Sequence, residues 1–183
     1  MTMLKTSVYI LLATIFSLTF LGATQAQQSE GATTARLGVV RCGGNNFLRL
    51  GDTEIHFTFY HLRNFDSTNP ITIDRMRFFD ANGTVLADSA VLGLPVSFDG
   101  KLGPANNTLH PNQTAQFKSD DFLPFLPQTN RPIQLEIEWS SSKAALTLDV
   151  SVNSVSRQRD PATAAVGAER SRSIRECRSI FLR

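Results

Sequence analysis

"IQLEIEW", residues 133 to 139, decides the fold. Ile133, Leu135, Ile137 and Trp139 fall on every second position, with Gln134, Glu136 and Glu138 between them. Side chains of an extended chain point alternately to opposite faces, so this period of two predicts a strand. Its apolar face meets a core and its polar face meets solvent. Downstream, "ALTLDVSVNSV" (145–155) repeats the pattern with Leu146, Leu148, Val150 and Val152 inward. Upstream, "EIHFTFYHLR" (54–63) alternates as well: Ile55, Phe57 and Phe59 point one way, His56, Thr58 and Tyr60 the other. "ITIDRMRFF" (71–79) follows the turn-rich "NFDSTNP". "FFDANGTVLAD" (78–88) then reads as a hairpin in which Asn82 and Gly83 supply the positive φ angles of a tight turn. No segment of comparable strength has helical periodicity. Short strands of period two between regular turns predict an all-β chain, folded as one antiparallel β-sandwich.

The N-terminus predicts export. Lys5 is followed by an apolar run from Val8 to Leu21 and by the small-residue stretch "ATQA". That order of charge, short apolar core and small residues is a secretory signal peptide covering residues 1–26, with cleavage after Ala26. The apolar run is shorter than the roughly 20 residues of a membrane-spanning helix, so no transmembrane anchor is expected in the mature chain. Gln27 stands where a lipoprotein would carry cysteine. Residues 27–183 then make a single domain, long enough to bury a real core.

Cys42 and Cys177 are the two cysteines of the chain. An even count in an exported protein predicts a disulfide, here one that ties the two ends of the domain together. The spacing matches no C-x-x-C redox or zinc motif.

Charge is spread unevenly. The formal net charge is +2, which gives no reason to expect a nucleic-acid partner. Residues 157 to 183, however, carry seven arginines against Asp160, Glu169 and Glu176. "SVSRQRD" returning as "ERSRSIREC" forms an Arg-rich hairpin if residues 171–182 are a strand. The competing reading is a short helix, in which Ser173 and Glu176 have capping-box spacing and Ile174, Cys177 and Phe181 share a face. The strand is preferred because it accounts for both halves together. Arg172 and Arg178 would then share one face, with Arg175 on the other. Arg157, Arg159, Arg172, Arg175 and Arg178 form a candidate patch for an anionic polysaccharide, lipid headgroup or acidic protein. The alternative is an edge that uses charge to repel other strands.

"DDFLPFLPQTNRP" (120–132) suits neither regular element, because its prolines lack the N–H of a central strand and break helices. Phe122, Leu123, Phe125 and Leu126 are expected to divide. One or two plug an open end of the sandwich, and at least one is left as an exposed apolar partner contact.

"LRNFDSTNPITIDRMRFFDANGTVL", "LGPANNTLHPNQTAQF" and "LEIEW" together resemble a family of small exported bacterial proteins of unknown function. The shared frame is an Arg-Asn strand end, an Asn-Pro-Ile turn, an aromatic-Asp-x-x-Gly hairpin, a Leu-x-Pro turn and a late Glu-Trp. The resemblance covers about residues 57–139. It implies an immunoglobulin-like or fibronectin-III-like β-sandwich and assigns no chemistry. "FLPFLPQTNRP" and the Arg-rich end depart from the frame.

Catalytic signatures are absent. There is no G-x-S-x-G, and His56 and His61 are an odd number of positions apart on one strand, so they face opposite ways. His110 lies in a turn. Asp120 and Asp121 lack a D-x-D-x-D-G frame, so neither calcium nor any other metal or cofactor is implied. The N-x-T sequons at Asn82, Asn106 and Asn112 read as turn and loop composition in a bacterial chain. The expected function is therefore a non-catalytic exported module that binds or assembles in the bacterial periplasm or at the cell surface. Its partner would be a protein or an anionic component of the cell envelope. The alternatives are an enzyme whose site joins residues distant in sequence, with His56, Tyr60 and the arginines as its parts, and an accessory subunit of a surface complex or filament.

Overall fold

Twelve strands are found among the described residues of the computed structural model, which are 36–94, 107–143 and 146–182, with backbone only for Glu176, Phe181 and Leu182. The expected signal peptide and the Asn106 sequon lie outside the described residues. The strands are β1 (Arg36–Gly43), β2 (Asn46–Arg49), β3 (Glu54–Arg63), β4 (Ile71–Phe79), β5 (Val85–Asp88) and β6 (Thr108–Leu109). They continue as β7 (Thr114–Lys118), β8 (Leu126–Pro127), β9 (Gln134–Ser141), β10 (Asp149–Arg159), β11 (Val166–Glu176) and β12 (Arg178–Leu182). Two six-stranded sheets result. The first has the order β12-β1-β9-β4-β5 with β6 against β4, and the second β11-β10-β3-β2-β8 with β7 against β3. Every pairing is antiparallel except the short parallel contact of β2 with β8. The fold is an all-β sandwich.

The main core lies between the sheets. In the second sheet Val152, Tyr60 and Phe117 stand in one row across β10, β3 and β7. The Tyr60 ring stacks on Phe117 at 4.8 Å and meets Phe78 of the first sheet edge-on at 5.9 Å. In the first sheet Gly38, Trp139 and Ile73 share a row. The indole lies against the β1 backbone, and a Cβ on Gly38 would stand 2.4 Å from its ring. Glycine is required there by that approach rather than by its dihedral angles. Each fully buried large side chain contributes about 1.5–3 kcal/mol.

The alternation in β9 and β10 places Leu135, Ile137, Trp139, Leu146, Leu148, Val150 and Val152 in this core, as expected. Two details of the β9 reading need correction. Ile133 precedes the strand and is exposed, and Glu136 is buried rather than facing solvent. Arg41 of β1 and Arg77 of β4 close over its carboxylate, and the sequence pattern of β9 alone carries no trace of them.

Strand β3 is buried on both faces. Thr58, Tyr60 and Leu62 look into the main core, whereas Ile55, Phe57 and Val155 form a second, smaller cluster with Leu48, Phe59 and Phe125. This arrangement explains "DDFLPFLPQTNRP". The segment wraps the β2 edge of the second sheet through one 3-10 turn, the two residues of β8 and a second 3-10 turn. Phe122 and Leu123 are buried in the main core, Leu126 packs against it, and Phe125 turns to the smaller cluster, 6.5 Å from Phe57. Four large side chains serve two cores. Phe125 and Leu126 are half-buried and none of the four is fully exposed. A buried polar network pins the segment: Asn46 Nδ2 donates to the carbonyls of Leu123 (2.7 Å) and Pro124 (2.8 Å). Ser119 Oγ accepts from Thr58 N–H at 3.0 Å and donates to Asn45 O at 2.8 Å.

The 78–88 hairpin forms with a different turn from the one expected. Only Gly83 has positive φ (81°). Gly83 N–H donates to Asp80 O, while Asp80 Oδ1 accepts from Asn82 and Thr84 N–H. This is a longer loop in which one glycine provides the left-handed step and an aspartate holds the approach to it.

At the C-terminus the strand reading holds. β11 pairs with β10 in the register Val155 with Arg172 and Ser156 with Ser171. The chain then leaves the second sheet at Cys177 and enters the first as β12, beside β1. The Cys42–Cys177 disulfide, spanning 135 residues, sits at this crossing.

Candidate functional site

The Arg-rich end consists of two surfaces. Arg157, Arg159, Arg172 and Arg175 lie on the β10–β11 hairpin of the second sheet, whereas Arg178 starts β12 in the first. Arg172 and Arg178 therefore do not share a face as expected. The switch of sheets at Cys177 separates them.

On the hairpin, each arginine is held differently. Arg157 is half-buried, with its guanidinium 5.7 Å from the centre of the Phe57 ring. Its Nε is buried with no hydrogen-bond partner. Arg159 Nη1 donates to Asp52 O at 3.3 Å, and its backbone N–H donates to Thr53 O, anchoring the hairpin to the turn before β3. Arg172 makes a two-pronged pair with Glu169, both contacts 2.9 Å, and its guanidinium holds the Glu169 carboxyl below the usual range. Arg175 and Arg170 are exposed, with no ion pair to a described side chain. Sequence reading left Arg170 out of the patch, although its position beside Arg172 on the same strand was signal enough. From 157 to 175 five arginines face only Asp160 and Glu169. The Asp160 carboxylate is held by the N–H groups of its own turn, Ala162 among them. A shallow cleft of about 410 Å³ opens here, lined by Thr53, Gln158, Arg159, Asp160, Val166 and Arg170. The hairpin therefore presents a net positive, solvent-facing surface.

Arg178 belongs to an arrangement that strand periodicity does not reveal. The paired registers set Arg178, Arg41, Glu136, Arg77 and Asp88 in one row across β12, β1, β9, β4 and β5. Arg41 Nε meets Glu136 at 2.8 Å, Arg77 reaches Glu136 at 2.5 Å and also contacts Glu138, and Arg75 grips Asp88 at 3.0 and 2.5 Å. Arg75 holds the Asp88 carboxyl down to about 2, with help from Ala90 N–H. From Arg41 to Asp88 opposite charges alternate and cancel locally, whereas Arg178 stands exposed opposite Arg41. Charge is abundant on this face, but little of it is left for a partner.

The residues named for an enzyme do not converge. Tyr60 is fully buried, burial pushes its hydroxyl well above the ordinary tyrosine range, and it donates to Gly43 O at 3.3 Å. His56 lies flat on Phe47 with ring centres 4.5 Å apart, and burial lowers its pKa despite Glu54 nearby. The arginines that act on His56 are Arg49 and Arg131 rather than those of the hairpin. Lys118 covers the Asp120–Asp121 pair at 3.3 and 3.6 Å, and Lys118 N–H donates to Asp121. Among the described residues no group of three or more histidine, cysteine or acidic side chains is placed to hold a metal. No helix among them is long and apolar enough to cross a membrane. A second shallow cleft, about 440 Å³, lies beside the disulfide between Phe65, Asp66, Asp149 and Cys177. Its acidic groups are already engaged by Lys143 (2.8 Å) and Arg63 (3.2 Å).

No family model, curated protein or solved structure matches this chain.

Proposed function

We propose that this protein is a non-catalytic, exported β-sandwich of the immunoglobulin-like kind that binds an anionic partner through the β10–β11 hairpin. One observation carries the reading. The hairpin's arginines outnumber their acidic neighbours, and Arg170, Arg172 and Arg175 stand in solvent, while Arg41, Arg75 and Arg77 of the first sheet are each paired with a carboxylate of that face. Arginine suits this task because its planar fork matches carboxylate, sulfate and phosphate oxygens in pairs. Arg157 over Phe57 and Arg159 on Asp52 are held in place, so less side-chain freedom is lost on binding. The disulfide supports an oxidising compartment, in keeping with the signal peptide and with the periplasm or cell surface. The partner class is an anionic cell-envelope polymer or an acidic protein.

The test is retention on an immobilised sulfated polysaccharide, with elution by salt. The wild-type protein is expected to elute well above physiological ionic strength, and Arg172→Gln with Arg175→Gln is expected to elute earlier. Passage of the wild-type protein at 0.15 M salt would reject the reading.

A further inference from the structure

The hairpin presents a backbone as well as charge. β11 is the outermost strand of the second sheet, and from Val166 to Arg175 every residue is exposed. An edge strand of this kind carries a row of unpaired N–H and C=O groups and can template another strand. Its two halves differ. Register shifts at Ser156/Arg157 and Arg157/Arg159 bend the tip half of the hairpin. Pairing with β10 is regular from Ser151 with Glu176 to Ser156 with Ser171. The usable edge is therefore Ser171 to Arg175.

We infer that this edge accepts an extended acidic segment of a partner polypeptide as an added strand. The inference rests on the reading of the hairpin as an anion-binding surface and specifies how one class of anion would be held. Alternation fixes what such a segment must look like. Arg172 and Ile174 point to the outer face of the sheet, where Arg172 stands in the row of Val155 and Phe57 and Ile174, 70% exposed, in the row of Asn153 and Phe59. Ser171, Ser173 and Arg175 point to the other face. A strand laid alongside thus gains an acidic side chain opposite Arg172, an apolar one opposite Ile174 and an acidic one opposite Arg175. A second copy of this chain fits less well. Antiparallel pairing of two such edges about Ser173 would set Arg172 against Ile174 and Arg175 against Ser171, so neither arginine would gain an acidic partner.

The probe is a fluorescent peptide containing Glu-Val-Thr-Glu-Thr, whose antiparallel addition sets its first Glu opposite Arg175, Val opposite Ile174 and its second Glu opposite Arg172. It is compared with a version carrying lysine for glutamate and with two versions N-methylated on alternate backbone nitrogens, one for each parity. The acidic peptide is expected to bind at least about tenfold tighter than the lysine peptide. Methylation of one parity should abolish binding and the other should leave it nearly intact, because only alternate N–H groups face the acceptor strand. Hydrogen exchange of the β11 amides should slow in the complex. Arg172→Glu with Arg175→Glu should reverse the preference between acidic and lysine peptides, which shows directionality even if affinity falls. Equal effects of the two methylations would overturn strand addition, as would binding without protection of β11, or light scattering that finds β11 protected by self-association. Those results leave the polysaccharide assay untouched. Failure of that assay alongside parity-dependent peptide binding would instead reject the broader anion reading and keep the added strand.

Discussion

The two sheets use the same residue for opposite purposes. On the first sheet Arg41, Arg75 and Arg77 interdigitate with Glu136, Glu138 and Asp88, so each of these charges is answered within the face, and Arg178 at its edge is the exception. On the second sheet the hairpin arginines rest on an aromatic ring, a backbone carbonyl or one glutamate, and two meet solvent alone among the described residues. Counting arginines does not separate a structural lattice from a recognition surface. Arg157 opposite Glu169 and Arg178 opposite Arg41 apart, the separation comes from whether acidic residues stand at the same level of the neighbouring strands. Glu136 does so for Arg41 and Arg77, and no acid does so for Arg175, which faces Val152.

The largest expected effect lies where the two sheets exchange a strand. Cys42→Ser with Cys177→Ser releases a loop of 135 residues and should cost up to about 5 kcal/mol, read as a lowered midpoint in denaturant. The hairpin should then lose its tether to β1, which hydrogen exchange of β11 and β12 would register before global unfolding. Next comes the wrapping segment, where the comparison is between its two cores. Phe122→Ala in the main core should cost about 3 kcal/mol, and Phe125→Ala in the half-buried smaller cluster clearly less. Equal losses would mean that the outer cluster of the second sheet is a full core in its own right. Smaller again is Glu136→Gln, which keeps the shape but removes the charge between Arg41 and Arg77. A cost of about 1–2 kcal/mol is expected from weakened charge-assisted hydrogen bonds.

Acid should act on the two sheets at different pH. The folded Asp88 carboxyl is held at about 2, below its unfolded value near 3.9. Its contribution is therefore complete above pH 4 and lost as pH falls through about 2. The folded pKa of His56, on the second sheet, is also lowered, chiefly by burial. Its contribution is complete above about pH 6.5 and begins to fall below that. Stability measured against pH should thus show an early decline that His56→Gln removes and a later one that Asp88→Asn reduces.

These contrasts also mark how far the sequence could be read. Strands β9 and β10 were legible because one face of each meets the core, and the return of "ERSRSIREC" on "SVSRQRD" was legible because both halves are extended and similarly charged. The burial of Glu136 was not, since its partners lie 95 and 59 positions away and become neighbours only through sheet order. The separation of Arg178 from Arg172 was hidden for a similar reason. A strand that changes sheets keeps its local pattern, and only the Cys42–Cys177 link hinted that the chain returns to β1 there. The wrapping segment was half legible: its prolines excluded regular elements, but a second core on the outer face of β3 needed the whole of that sheet to exist.

The most direct test compares the two arginine faces against one polyanion. Affinity for heparin is measured across a salt series for the wild-type protein, for Arg172→Gln with Arg175→Gln, and for Arg75→Gln with Asp88→Asn, which removes one balanced pair from the first sheet. The hairpin variant is predicted to bind more weakly with a shallower dependence on salt, while its melting temperature stays at the wild-type value. The first-sheet variant is predicted to keep wild-type affinity and slope. If the first-sheet variant lost as much affinity as the hairpin variant, or if neither lost any, the division between a neutralised lattice and a recognition surface would be contradicted.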